Sequence, residues 1–236
     1  MNHYSIGLEG RDRVNHAIGS GLPEKSLVLI EGQTGAGKSV IISRFVYGLC
    51  EEETAVTAVS TEGAASRYVD QMHSLSYDIV EHLLAGRLRY FHAPVDSDRP
   101  LLAPLFRPGG LWVNDVLAVD GFGRLCRNDP TFGATLGSGE EDRAMERVVS
   151  RLDQPLAAGK LAILTVDPAT LTEQALRPLR GAADVHLELH SETIGQEIRK
   201  KALVRRFAGM ARPVDDTIGF SVQQGRGIVI ESRTIA

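Results

Sequence analysis

Ser26-Leu27-Val28-Leu29-Ile30-Glu31-Gly32-Gln33-Thr34-Gly35-Ala36-Gly37-Lys38-Ser39 decides how this chain is read. A buried-strand pattern runs into a glycine-rich turn, and a helical pattern follows from Lys38 to about Cys50. Gly32 to Ser39 fits G-x-x-x-x-G-K-[ST], the pattern of a phosphate-binding loop, or P-loop. Its glycines let the backbone wrap closely enough for consecutive N–H groups to point at a phosphate. A helix beginning at Lys38 adds the partial positive charge of its N-terminus. The order is not G-x-G-x-x-G, which argues against a dinucleotide fold.

Outward from this stretch, short apolar runs alternate with helical patterns. Thr54–Thr61 reads as a second strand, Ala64–Leu84 as helix in one or two pieces, and Arg87–His92 as a third strand. Pro94–Gly110 carries several prolines and no periodicity, which predicts a surface excursion. Val113–Asp120 is a fourth strand, and Ala144, Met145, Val148, Val149, Leu152 and Leu156 fall at helical spacing between Gly139 and Lys160. Leu161–Asp167 is a fifth strand, stopped by Pro168. Beyond Ala183 the strand candidates Val185–Leu189, Ile198–Phe207, Ile218–Val222 and Ile228–Glu231 follow one another without a helical pattern, which predicts antiparallel pairing. The fold class expected is α/β: a RecA-like P-loop NTPase core with a mostly parallel central sheet and a C-terminal antiparallel β extension. Residues 1–236 are read as one domain.

The composition is that of a soluble globular chain: 236 residues, 43% hydrophobic, 24% charged, net charge -4. That charge, with a sequence pI near 6.0, gives no general attraction for polyanions. No apolar leader opens the chain, and the longest apolar runs fall far short of the roughly 20 residues that span a bilayer. Cys50 and Cys126 are far apart and in no ligand or redox spacing, so they read as small buried hydrophobes in a reducing compartment. The expected location is cytoplasmic.

The motif assigns Gly32, Gln33, Thr34, Gly35, Ala36, Gly37, Lys38 and Ser39 to binding the phosphates of ATP. Lys38 reaches the β- and γ-phosphates, and the Ser39 hydroxyl is placed for Mg²⁺. A P-loop also needs a carboxylate at the end of a neighbouring strand, and Val116-Leu117-Ala118-Val119-Asp120 supplies Asp120 as the second metal residue. Gly121 follows where a second acid often stands, so the catalytic carboxylate must lie elsewhere. Glu62, just past the second strand in Ser60-Thr61-Glu62, is that candidate. Asp167 ends the fifth strand on the same edge, either to sense the γ-phosphate or to cap the turn before Pro168.

This arrangement resembles the RecA/KaiC group, and within it the FlaH (ArlH) family, the KaiC-like ATPases of the archaeal archaellum motor. The likeness covers nearly the whole chain. It is carried by Phe45–Cys50, Asp70–Asp78, Arg127–Pro130, Leu164–Pro168, Arg206–Met210 and Asp216–Val222. The resemblance implies tight ATP binding, weak hydrolysis and hexameric rings. It implies a place at the cytoplasmic face of the membrane, with the motor ATPase FlaI and the membrane protein FlaJ as partners. It also implies a basic residue reaching a neighbour's γ-phosphate; the match is Arg205, in Leu203-Val204-Arg205-Arg206-Phe207, where the family usually shows Lys-Arg. Two other functions share the P-loop: a DNA-repair or strand-exchange ATPase, and a KaiC-like autokinase.

His186 and His190 lie on one face of a predicted strand about 13 Å apart, too far to share a metal. The basic run Arg199-Lys200-Lys201, with Arg205 and Arg206, lacks interleaved aromatics and reads as a solvated strand face or subunit contact, with no nucleic-acid partner expected.

Overall fold

In a computed structural model of the chain, described for residues 2–96, 99–107, 109–194 and 197–231, two short strands precede the main sheet. These are β1 (His3–Tyr4) and β2 (Leu22–Pro23), which pair antiparallel around helix α1 (Val14–Ala17). The main sheet is built from β3 (Leu27–Gly32), β4 (Val56–Ser60), β5 (Leu88–His92), β6 (Val116–Asp120), β7 (Leu161–Val166), β8 (Val185–Ile194), β9 (Glu197–Phe207), β10 (Thr217–Gln223) and β11 (Gly227–Ile230). Its order is β11-β10-β9-β8-β3-β7-β6-β4-β5. The helices between them are α2 (Lys38–Glu51), α3 (Ala65–Ser74), α4 (Val80–Leu84), α5 (Phe122–Asn128), α6 (Pro130–Gly133), α7 (Glu141–Ala157) and α8 (Glu173–Ala182).

The central strands are apolar on both sides because helices cover both faces. Val28, Ile30, Val56, Ala58, Val116 and Ala118 pack with Phe45, Val46 and Leu49 of α2 and Met72 of α3. The alternate residues Leu27, Leu29, Val59, Leu117, Val119 and Leu164 pack with Met145, Val148 and Leu152 of α7 and Leu176 and Leu179 of α8. The period of two therefore divides one sheet between two hydrophobic layers.

The expected parallel core and antiparallel extension are both present. Strand β8 is where they meet: it runs parallel to β3, with Val28 beside Val185, and antiparallel to β9, with Leu189 opposite Ala202. The expectation that everything after Ala183 pairs antiparallel is corrected by that one edge. Helix α8 returns the chain across the sheet after β7 and makes the parallel pairing possible. The helical region 64–84 is in two pieces. The proline-rich excursion also differs from the expectation of a purely surface segment. It turns back through Ala103–Phe106 and buries Leu102 and Leu105, and the buried Trp112 just beyond it donates from Nε1 to the Leu105 carbonyl at 2.7 Å. No helix among the described residues is long and apolar enough to cross a membrane.

Two charged clusters tie this frame to β3 and α2. Arg180 of α8 grips Glu31 at 2.8 and 2.5 Å, and His186 adds a contact at 3.1 Å. Burial works against ionisation of Glu31, but these donors outweigh it and hold its carboxyl at about 2. The resulting stability is present above the ordinary carboxylate range and is lost as pH falls toward that value. On the other face, Arg44 of α2 is fully buried and donates to the carbonyls of Ile6 (2.6 Å) and Gly7 (2.8 Å) and to Asp12 (2.9 Å), itself buried. The N-terminal segment is thus bonded to the helix that follows the P-loop. Arg44→Met leaves the Asp12 charge buried and uncompensated, so it should cost about 3–5 kcal/mol of stability in denaturant titration. A loss under about 1 kcal/mol would mean that this pair does not anchor the segment.

Candidate phosphate-binding cleft

The carboxyl ends of β3, β4, β6 and β7 open on one edge, where the chain leaves each strand for a loop or helix. There they enclose a cleft of about 570 Å³ lined by Thr34, Gly35, Gly37, Lys38, Ser39, Glu62, Asp120 and Asp167 among others. Gly37 has φ +104°, a conformation that favours glycine, and a Cβ on it would press on the Phe220 ring at 3.3 Å. No side chain caps α2 at Gly37, which leaves its first N–H groups aimed at the cleft. Lys38 Nζ donates to the Gly32 and Gln33 carbonyls at 2.7 and 2.9 Å and stands 3.8 Å from Asp167. Burial lowers the Lys38 pKa, with Asp167, Asp120 and Glu62 opposing the shift.

Asp120 ends β6, half-buried, in the lining of the cleft. Its Oδ1 accepts from the buried Thr165 hydroxyl at 2.7 Å, and Ser39 lines the cleft beside it, close enough to help hold its pKa down. Burial pushes the Asp120 carboxyl up, and these two hydroxyls only partly offset that. Two hard oxygen donors, the Ser39 hydroxyl and the Asp120 carboxylate, thus converge beside the phosphate loop, a donor set that fits Mg²⁺. Asp167 both caps the turn and braces the loop. It accepts from Ala169 N at 3.0 Å and from the Thr34 hydroxyl at 2.7 Å. Burial opposes its ionisation, but Thr34, Ala169 and Lys38 hold its pKa down.

The cleft brings together Thr34, Gly35, Gly37, Lys38, Ser39, Asp120 and Glu62. Gly32, Gln33 and Ala36 form the back of the same loop, facing a smaller cavity of about 210 Å³ with Glu188 and His190. Arg205 stands away from the cleft, paired with Glu188 on β8. His190 pairs with the same Glu188, whereas His186 belongs to the Glu31 cluster. In the basic run, Lys201 pairs with Glu192 and Arg206 donates to the Gly181 and Ala183 carbonyls at 2.8 Å.

Sequence reasoning missed three cleft residues. Thr165 was legible as the one hydroxyl in an apolar strand, two residues before Asp167. Arg124 sits one helical turn beyond Asp120, and its Nη1 donates to Glu62 at 2.8 Å. Lys200, in a run whose sequence reads as a solvated strand face or subunit contact, reaches across from β9 to the Gly35 carbonyl; only the strand pairing reveals that.

The chain is similar to several known proteins in sequence and fold. A family model described as "ATPase: KaiC" matches residues 4–100. The archaeal flagellar ATP-binding protein FlaH of Methanocaldococcus jannaschii is 28% identical over 96% of this chain and 95% of its own length. Its namesake from Methanococcus voltae is 27% identical over the whole of both chains. The crystal structure of the flagellar accessory protein FlaH from M. jannaschii superposes with a TM-score of 0.88 at 27% identity, covering 98% of this chain and all of that one. A KaiC-like protein from Pyrococcus horikoshii, 20% identical with a TM-score of 0.72 over 95% of this chain and 97% of that one, shares the fold.

Asp120→Asn removes the charge that burial disfavours. The raised carboxyl contributes stability at low pH that is lost as pH rises through its value. The variant should therefore melt higher than the parent at neutral pH without nucleotide, yet lose roughly 10–100-fold in Mg²⁺ affinity measured with nucleotide present. Unchanged Mg²⁺ affinity would move the metal elsewhere. The chain has a KaiC/RecA-like ATPase fold, and over nearly its whole length it resembles the archaeal flagellar protein FlaH in sequence and in three-dimensional structure.

Proposed function

We propose that the chain is an archaellum-associated ATP-binding protein that binds Mg-ATP in this cleft and hydrolyses it weakly, so that the nucleotide acts as a conformational signal. The observation that carries the reading is the meeting of the Ser39 hydroxyl and the Asp120 carboxylate beside an uncapped helix start and Lys38. Likeness to FlaH proteins along the full chain supports the archaellum assignment.

In this reading, the P-loop N–H groups and the Lys38 ammonium hold the β- and γ-phosphates. Ser39 and Asp120 are the ligands for Mg²⁺, which when bound neutralises phosphate charge. Glu62 orients the attacking water by accepting its proton. Thr165 fixes the Asp120 carboxylate, and Asp167 fixes the loop through Thr34. The assembly we propose is a homo-oligomer, a hexameric ring in the cytoplasm, which meets the membrane only through FlaJ and acts with FlaI. In such a ring Arg205 would leave its Glu188 partner to reach a neighbour's nucleotide.

ATP turnover per chain should be slow and indifferent to single-stranded DNA. Glu62→Gln should keep ATP and lose about 100-fold or more of the residual rate. Turnover raised tenfold by DNA, about 1.4 kcal/mol of barrier, would favour a strand-exchange ATPase instead. Label from γ-phosphate ATP retained on the chain would favour an autokinase.

A further inference from the structure

The cleft holds a cation that neither the P-loop nor the metal pair uses. Arg124 stands on α5, one helical turn beyond Asp120, and lines the cleft with Lys38, Ser39 and Glu62. Its Nη1 donates to Glu62 Oε1 at 2.8 Å, and the two side chains are 49% and 50% exposed. The base of this arm is fixed. Gly121 N donates to the buried Thr165 hydroxyl at 2.8 Å. Gly121 has φ +93°, and a Cβ there would stand 2.2 Å from Thr61 Oγ1. The start of α5 is therefore fixed against the ends of β4 and β7, while the guanidinium at the end of the arm is half-exposed.

A half-exposed ion pair made through one nitrogen is worth only ~0–1 kcal/mol. A stronger anion displaces the carboxylate at little cost. The terminal phosphate of a triphosphate is such an anion, since it carries more charge and offers oxygens that a planar guanidinium can take two at a time. Arg124 and Lys38 already address one region. Both line the cleft beside Ser39 and Glu62.

We propose that Arg124 is a positioning residue that exchanges Glu62 for the terminal phosphate of a bound nucleoside triphosphate, so that Glu62 is released when that phosphate is present. The inference rests on the nucleotide-binding reading above. With a diphosphate, no third phosphate competes for Arg124, and the ion pair keeps one Glu62 oxygen engaged. With a triphosphate, the guanidinium moves to phosphate oxygens and Glu62 becomes free to accept a hydrogen bond from water. One exchange thus reports the nucleotide state and arms the water-orienting carboxylate.

The test is equilibrium titration of the full chain with Mg-ADP and with Mg-AMP-PNP, a non-hydrolysable ATP analogue. Arg124→Ala should bind ADP as the wild type does and lose about tenfold of the preference for the triphosphate, the weight of one charge-assisted hydrogen bond. Arg124→Lys should restore part of that preference. Glu62→Gln, which removes the competing charge, should tighten AMP-PNP binding about threefold and leave ADP unchanged. An ADP-to-AMP-PNP affinity ratio unaltered in Arg124→Ala, with both nucleotides bound, overturns the inference and leaves the nucleotide-binding reading standing. A wild-type chain that binds neither nucleotide overturns both.

Discussion

A carboxylate that burial disfavours, Asp120 between the hydroxyls of Thr165 and Ser39, is the interaction around which the cleft is arranged. It joins three elements whose ends would otherwise be independent: β6 carries the acid, β7 the threonine and α2 the serine. Their parallel register puts the strand ends at one level, and Gly37 lets the chain turn sharply enough to bring Ser39 there. The fold bears the cost of burying that charge, and a cation bound beside it would relieve it. Such strain is expected where a site is built for a ligand.

The phosphate loop, the strand before it and the helix after it were legible because their chemistry is local. Glycine freedom, a lysine and a hydroxyl at fixed spacing, and a run of buried apolar residues all lie within one contiguous stretch. Asp120 and Glu62 were legible for a related reason, since an acid ending or just following an apolar strand must emerge on the loop edge of a parallel sheet. What stayed hidden depends on strand order. Thr165 becomes a partner of Asp120 only because β7 lies beside β6, and Lys200 reaches the P-loop only because β9 folds back along β8. The parallel edge of β8 was hidden too, because nothing in Val185–Leu189 itself states which neighbour it will meet.

The position of β8 gives the C-terminal half a role beyond closing the sheet. It lies directly beside β3, whose last residue opens the P-loop, and it carries Glu188, the partner of Arg205. Lys200 on the next strand touches the loop itself. The antiparallel extension is therefore in mechanical contact with the phosphate site through backbone pairing and one side chain. Arg44 does the same for the N-terminal segment on the opposite face, because it binds that segment to α2. Elements that lie far from the cleft in sequence are thus within one or two contacts of it.

The central claim is that Gly32 to Ser39 hold the phosphates of ATP, and direct titration of Mg-ATP into the intact chain and into Lys38→Ala tests it most simply. The parent chain should bind saturably, and the variant should lose about a hundredfold in affinity, ~2.8 kcal/mol. Circular dichroism of the variant should match the parent. Equal affinity in the two proteins, both folded, would contradict the account at its root.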